Sequence, residues 1–266
     1  MRIARFAAGD EVSYGLVGTA RAGGAAGGGK VIAELAGHPF GGSDAFRLTG
    51  ATYPLTGVRL LAPVLPSKVI GFVPSGAERL ERADQGPDED SVMYLKPSTA
   101  VCGPSDAIRY PAQAHRLDAD GKLAVIIGRL CRQVPPDQAA SVIFGYSCAL
   151  DVTAADVAAR AHWPSRAKGF DTFCPLGPWI ETDAGAGDAA LVTSVNGQER
   201  RRASIPQAAQ GVAALVAAAS SVMTLLPGDV LLAGGAGPAE ELACGDEVSV
   251  SIDAVGTLTN KVEKGD

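Results

Sequence analysis

The sequence has little that would place the protein in a membrane or on nucleic acid. No segment approaches the roughly 20 uninterrupted apolar residues that a spanning helix needs, and the opening residues, MRIARFAAGDEVSYG, alternate like a strand and do not form an apolar leader. The net charge is −6 and there is no long basic run. This charge argues against nucleic acid or an anionic membrane as the main partner. We therefore expect a cytoplasmic protein.

Cysteine and histidine are also scarce. The five cysteines include no Cys-x-x-Cys pair, so neither a disulfide framework nor a zinc knuckle is expected, and buried thiols are the ordinary outcome. Cys174 stands out because it follows a charged motif. Of the three histidines, His162 lies close in sequence to Lys168. It is by elimination the best candidate for a proton carrier, because histidine titrates in the useful range.

The apolar runs are short and are separated by many of the 33 glycines and 17 prolines. The first part of the chain reads as strands at residues 2–6, 12–18, 30–36 and 58–64. The proline-bearing stretch LAPVLPS then marks a boundary. We predict a small β-rich N-terminal domain over residues 1–62 and a larger domain over residues 63–266.

Two helices are predicted in the larger domain. The first covers residues 135–161 and is broken near Gly145; the second covers residues 204–225. The second helix has Ser204 as an N-cap and Pro206 in its first turn. Strands follow at residues 247–262. Strands at both ends and few helices predict a β-rich α+β fold.

Three sequence blocks carry a resemblance to a known family. They are VMYLKPSTAVCGPSDAIRYP, then KLAVIIGRLCRQVPPDQAASVIFGYSCALDVTAADV with WPSRAKGFDTFCPLGPWIET, and finally LLPGDVLLAGGAGPAEELACGDEVSVSIDAVGTLTN. Together with HPFGG and TYPLTGVRLLAPVLPSK upstream, they resemble the fumarylacetoacetate hydrolase superfamily. The resemblance implies a mixed β-roll, a homodimer and a divalent cation held by carboxylates. The cation polarises a 1,3-dicarbonyl or 2-oxo acid, so that a C–C bond is cleaved or CO₂ is lost.

The metal motif of that family is altered here. Its Glu-x-Glu pair corresponds to Asp120 and Lys122, and its aspartate is retained as Asp151. An ammonium group among carboxylates repels a cation by roughly 4 kcal/mol at about 4 Å and an effective dielectric near 20. We predict that Lys122 replaces the metal and bridges Asp120 and Asp151, so that no metal cofactor is expected. In the alternative, Lys122 points to solvent and the two aspartates hold Mg²⁺ or Mn²⁺.

Other catalytic positions of the family differ as well. The lid histidine corresponds to Arg79, and its glutamate to Arg82 or Glu81. An arginine and a glutamine after the retained aspartate become Ala155 and Ala158. The base that would activate water for C–C hydrolysis is therefore missing.

Several polar groups remain for a substrate. Lys168 resembles the family's active-site lysine, which binds a substrate oxygen. Lys96 and Asp171 stand in conspicuous motifs, and Gly234 and Gly235 replace a hydroxyl-bearing loop that holds a carboxylate in the family. We assign Lys96, Arg79, Asp171, Gly234 and Gly235 to substrate binding. An equally weighted alternative is that Lys96 and Lys168 only balance nearby aspartates.

Three functions follow. The leading one is a metal-independent enzyme that uses Lys122, Lys168, Asp151, Asp120 and His162. It would isomerise, cyclise, dehydrate or decarboxylate a small 1,3-dicarbonyl or 2-oxo-acid-like metabolite through an enolate. The second is an ordinary Mg²⁺- or Mn²⁺-dependent hydrolase or decarboxylase. The third is a non-catalytic binding protein or a silent subunit of a larger assembly.

Overall fold

The computed structural model describes residues 1–19, 29–41, 46–73, 87, 91–161, 163–183, 190–234 and 239–265. The strands of its first part are β1 Arg2–Ala8, β2 Glu11–Thr19, β3 Lys30–Leu35, β4 Leu48–Pro54, β5 Arg59–Leu61, β6 Val69–Val73, β7 Val92–Lys96, β8 Val101–Cys102 and β9 Ile108–Tyr110. Those of the second part are β10 Leu117–Ile127, β11 Ile143–Ala154, β12 Cys174–Glu181, β13 Ala190–Val195, β14 Gln198–Ser204, β15 Val230–Ala233, β16 Glu240–Leu242, β17 Glu247–Ile252 and β18 Gly256–Lys264.

The described residues contain few helices. They are α1 Ala155–Arg160, α2 Ser165–Lys168 and α3 Ile205–Val222, with 3₁₀ turns at Leu55–Gly57, Ser98–Ala100 and Pro136–Val142. The predicted α+β class is confirmed, and α3 confirms the second predicted helix. The predicted helix over residues 135–161 is wrong in its middle, which forms strand β11, and within that range only Ala155–Arg160 is α-helical. Ile143, Phe144 and Tyr146 are β-branched or aromatic side chains that fit a pleated surface.

The strands form two sheets within the described residues. The thirteen-stranded sheet has the order β4-β3-β2-β1-β12-β11-β10-β15-β6-β7, with β5, β8 and β16 paired to β1, β12 and β10. The five-stranded sheet has the order β14-β13-β17-β18-β9. β1 pairs with β12 through Arg2↔Glu181 and Ile3↔Ile180. The strands of the predicted N-terminal domain therefore continue the sheet of the larger domain.

The main core fills the space between the two sheets. Buried side chains from β10, such as Leu117 and Leu123, pack with Val248 and Val250 of β17. Leu117, Ala119, Gly121 and Leu123 are the buried members of an alternating pattern along β10. The intervening side chains, including Asp120 and Lys122, therefore lie on the other face of the strand.

The large sheet curls back on itself. β7 is at its edge, yet Lys96 of β7 donates hydrogen bonds to Val152 of β11 and Phe173 at the start of β12. This closure matches the expected β-roll and brings β7 over the polar face of β10 and β11. No helix in the described ranges is long and apolar enough to cross a bilayer.

Candidate functional site

Strands β10 and β11 place two aspartates side by side. The antiparallel register pairs Asp120 with Asp151 and Lys122 with Ala149. Register partners in an antiparallel pair project from the same face, so Asp120, Asp151 and Lys122 share the polar face of the sheet. These three positions correspond to the metal-ligand positions predicted from the sequence.

Lys122 is fixed between two strands of this face. Its Nζ lies 2.8 Å from Asp120 Oδ2 and donates a hydrogen bond of 2.5 Å to the carbonyl of Gly234. Gly234 has a φ of +77°, a left-handed conformation that favours glycine. Its carbonyl thereby forms part of the site. The side chain of Lys122 is 11 % exposed, and its Nζ has these two partners among the described residues, which leaves one N–H without a described acceptor.

Asp151 is held by different cations. Lys168 Nζ donates to Asp151 Oδ2 at 2.7 Å, and Lys96 Nζ lies 2.8 Å from Oδ1. Within the described residues Asp151 forms no ion pair with Lys122. The predicted bridge from Lys122 to both aspartates is therefore wrong in its second half, because the buried Asp151 is already neutralised from the opposite side by Lys96 and Lys168.

Lys96 is a structural cation. It is fully buried, and its three N–H groups donate to the carbonyls of Val152, Lys168 and Phe173 at 2.8 to 2.9 Å. An ammonium group has three donors, so none is left for a ligand. This explains why Asp151 Oδ1, despite its close ion pair with Lys96, accepts no hydrogen bond within the described residues. The geometry favours the charge-balancing role of Lys96 over direct substrate binding.

Lys168 differs from Lys96 because only two of its three N–H groups have acceptors among the described residues. Two of its N–H groups are directed to Asp151 Oδ2 and to Thr153 Oγ1, both at 2.7 Å. Its side chain is 13 % exposed, and the ammonium lies 4.7 Å from the centre of the Tyr94 ring. The remaining N–H of Lys168 can therefore reach a ligand in the same site as Lys122.

Three members of the cluster were missed in the sequence. Tyr94 donates its hydroxyl to Asp151 Oδ2 at 2.5 Å, and Thr153 accepts from Lys168. Tyr94 and Lys96 are two positions apart on β7 and so share a face; this spacing could have identified Tyr94. Arg201 of β14 reaches across from the second sheet to Asp120 Oδ1 at 3.4 Å. Nothing in the local sequence links Arg201 to residues eighty positions away.

The electrostatics of the cluster are dominated by the lysines. Burial alone would raise the pKa of Asp151, but the ammonium groups of Lys168, Lys96 and Lys122 outweigh it and hold that pKa well below the usual range. Burial lowers the pKa of Lys168, and the attraction of Asp151 offsets this only in part. The pKa of Tyr94 is raised well above its ordinary value by burial and by Asp151. Tyr94 therefore stays protonated and acts as a donor.

The donor set does not fit a divalent cation. Hard cations need several carboxylate or carbonyl oxygens, whereas Asp120 is engaged by Lys122 and Arg201, and Asp151 by Lys96 and Lys168. In the described ranges no three His, Cys, Asp or Glu side chains are grouped as metal ligands. The position of the family's second glutamate is occupied by a positive charge.

Of the remaining predicted site residues, the structure describes Asp171, which makes no contact with the cluster among the described residues. Asp171 is exposed and forms no ion pair with any described residue. His162, Arg79 and Gly235 lie outside the described residues. Cys174 is fully buried behind the lysines, and burial raises its pKa to about 12. It therefore remains a thiol and is not a nucleophile at neutral pH.

Family comparisons match nearly the whole chain. A sequence model described as fumarylacetoacetate (FAA) hydrolase C-terminal matches residues 73–263, and one described as Rv2993c-like, N-terminal matches residues 1–63. Protein Rv2993c of Mycobacterium tuberculosis is 44 % identical over 86 % of this chain and 86 % of its own length. The oxaloacetate tautomerase YcgM of Escherichia coli is 32 % identical over 74 % of this chain and 92 % of its own length.

Solved structures of similar proteins match the fold over nearly the whole chain. A 5-carboxymethyl-2-hydroxymuconate delta-isomerase from Mycobacterium smegmatis is 42 % identical, with a TM-score of 0.85 over 99 % of this chain and 100 % of that one. A maleylpyruvate hydrolase from Sphingobium sp. SYK-6, solved with manganese(II) and pyruvate, is 28 % identical, with a TM-score of 0.76 and full coverage of both chains. The similar proteins of named activity are therefore isomerases, tautomerases or hydrolases of small molecules.

Proposed function

Because the chain belongs to the fumarylacetoacetate hydrolase family, we propose that it is an enzyme that isomerises a small 2-oxo carboxylate by a proton shift through an enolate. Lys122 and Lys168 supply the positive charge that a divalent cation supplies in metal-dependent members. The observation that carries this proposal is the ion pair of Lys122 with Asp120 at the position of a metal ligand.

The charge of the cluster supports an anionic substrate. Among the described residues, four cations, Lys96, Lys122, Lys168 and Arg201, surround two carboxylates, Asp120 and Asp151. Two positive charges are left without a partner in a mostly buried site, which is unfavourable unless a ligand compensates for them. The enolate of a 2-oxo carboxylate carries two negative charges, one on the carboxylate and one on the enolate oxygen.

The free donors support the stabilisation of an enolate. Lys122 and Lys168 each keep one N–H that no described residue accepts, and each is pre-positioned by an aspartate. Donors fixed in place before the reaction stabilise developing charge without reorganisation. A 2-oxo oxygen bound to Lys122 would gain this stabilisation as the enolate forms, and the charge of Lys168 would add to it once Lys168 has taken up the proton.

Lys168 is the group proposed to move the proton. Its pKa is lowered by burial, so the neutral amine forms more readily than that of an exposed lysine. In the neutral form Lys168 takes a proton from the carbon next to the carbonyl, and the electron pair of that C–H bond forms the enolate. Lys168 then returns the proton to the oxygen. This reaction needs no activated water, in keeping with the loss of the family's lid base.

The test is a tautomerisation assay on oxaloacetate, whose enol absorbs in the ultraviolet, in the presence of excess EDTA. We expect the wild-type protein to accelerate the reaction. Lys168→Met should lower kcat about a hundredfold or more, as for loss of a general base. Lys122→Met should lower it about tenfold to a hundredfold, as for loss of one oxyanion donor. The matched control is Lys261→Met, an exposed lysine of β18, which should change nothing.

Two results would contradict the proposed metal-independent isomerase and favour another function. Activity that disappears with EDTA and returns with Mg²⁺ or Mn²⁺ would overturn the proposal in favour of a metal-dependent hydrolase or decarboxylase. A protein that binds oxalate at the cluster but accelerates no proton exchange in oxaloacetate or acylpyruvates would favour a non-catalytic binding protein.

A further inference from the structure

A cavity of about 530 Å³ lies between α1 and α2. Its walls include Val157 and Arg160 of α1, Ser165 and Arg166 of α2, and the flanking residues Gln113 and Phe170. We propose that this cavity binds a small organic anion that combines one carboxylate or phosphate group with an apolar, ring-sized body.

The cavity is separate from the lysine cluster. Ser165, Arg166 and Gly169 line it, whereas Lys168 turns away to Asp151 and Thr153. The α2 turn therefore forms a wall between the two sites. On α1, residues advance by about 100° each, which places Val157 and Arg160 on a different face from Ala155. Ala155, the position that corresponds to the family's arginine, does not line the cavity.

The charges around the cavity favour an anion. Arg160 donates to Asp156 Oδ2 at 2.9 Å, and Asp156 Oδ1 also accepts from the backbone N–H groups of His115 and Arg116. The Asp156 carboxylate therefore accepts three hydrogen bonds, and only one of them comes from a guanidinium nitrogen of Arg160. Arg166 is exposed and has no carboxylate partner among the described residues. Donors of both guanidinium groups therefore remain available, and guanidinium binds carboxylate and phosphate in a bidentate manner.

Some of the lining residues are apolar. Val157 is buried, and the Phe170 ring packs at 5.0 Å on the fully buried Phe173. Apolar side chains combined with a few polar groups are the usual composition of a small-molecule site, and the volume lies within the range of such sites. A ligand with an acid group at one end and a ring at the other could contact both the guanidinium groups and the apolar side chains of the cavity.

The test is isothermal titration of the full chain with benzoate and phenyl phosphate, and with benzyl alcohol as the uncharged probe. We expect saturable binding of at least one anion and none of the alcohol. If benzoate binds more tightly than phenyl phosphate, the site prefers a carboxylate; the opposite order indicates a phosphate. Arg166→Gln and Arg160→Gln should each weaken binding about tenfold or more, the loss of one charge-assisted contact. The matched control is Arg202→Gln, an exposed arginine of β14 paired with Glu199.

The result is independent of the proposed enzyme activity. Binding that persists in Lys122→Met but is lost in Arg166→Gln would establish the second site even if no oxaloacetate turnover is found. Absence of saturable binding, or binding that is lost in Lys122→Met and unchanged in Arg166→Gln, would overturn it. The alcohol binding as tightly as benzoate would also contradict recognition of an anion.

Discussion

Asp120 and Asp151 stand directly opposite each other across β10 and β11, and each is neutralised by its own pair of cations. Two carboxylates this close would repel each other without compensating positive charge. In a metal-dependent relative a divalent ion supplies that charge. Here side chains supply it.

The first prediction concerns metal affinity. Lys122→Glu removes the ammonium group and restores an oxygen ligand, so we expect Mn²⁺ and Mg²⁺ to bind at least about a hundredfold more tightly to the variant than to the wild type. Titration calorimetry with metal analysis of the purified proteins measures this. Lys261→Glu makes the same charge change on an exposed part of β18 and should have no effect. Tight metal binding by the wild type would show that our interpretation of Lys122 is wrong.

The second prediction separates Lys96 from Lys122. Lys96→Met leaves a buried carboxylate and three buried carbonyls short of a donor, so we expect unfolding to become easier by about 3–5 kcal/mol. Lys122→Met, at a partly exposed position, should cost less than half as much. Urea denaturation of both variants gives the comparison. Equal losses would contradict the structural role assigned to Lys96.

The third prediction is a pH dependence of stability. The pKa of Asp151 is lower in the folded protein than in the unfolded chain. Its stabilising contribution is therefore present above the unfolded pKa, near 4, and is lost as pH falls toward the folded pKa. Between pH 5 and pH 3 the wild type should lose about 1 kcal/mol more than Asp151→Asn. Urea denaturation at the two values tests this, and identical slopes would remove Asp151 as the cause.

The fourth prediction concerns Arg201. With oxaloacetate as substrate, Arg201→Gln should raise KM about tenfold with a smaller change in kcat, because a positive charge beside the site is lost while the two lysines remain. Arg202→Gln, the adjacent exposed residue of β14, is the control. A fall in kcat with an unchanged KM would instead make Arg201 part of the proton-transfer step.

The fifth prediction uses Gly121, which lies between Asp120 and Lys122 on the buried face of β10. A Cβ there would clash with Thr193 Oγ1 and lie 3.0 Å from Val250. Gly121→Ala should therefore cost about 1–3 kcal/mol of stability through overpacking between the sheets. Gly18→Ala on β2, where a Cβ would meet nothing within 4 Å, is the control. A neutral Gly121→Ala would mean that the two sheets adjust at this point.

The fold class and most members of the cluster could be predicted from the sequence. The contacts between these members could not. The alternating pattern gave the strands of the first part, and the family motifs located Asp120, Lys122, Asp151 and Lys168. Which aspartate each lysine contacts depends on the curl of the sheet that brings β7 over β11, and periodicity carries no information about this. The sequence around β11 favours a helix because alanines cluster just before and just after this strand, whereas β10 and β12 pair with it on both sides.

The division into residues 1–62 and 63–266, the homodimer, the cytoplasmic location and the proton-carrying role of His162 stay predictions.

The pairing of β1 with β12 has a consequence for chimeras built from two relatives of this protein. β1 contacts β2, β5 and β12, and its Phe6 shares a buried cluster with Ile32 and with Trp179 of β12. Although the two parts of the chain match separate family models, they are not interchangeable modules. A chimera that joins residues 1–62 of one relative to the remainder of another must preserve both the hydrogen-bonded edge and the packing at Trp179, or the graft will leave the edge of β12 open.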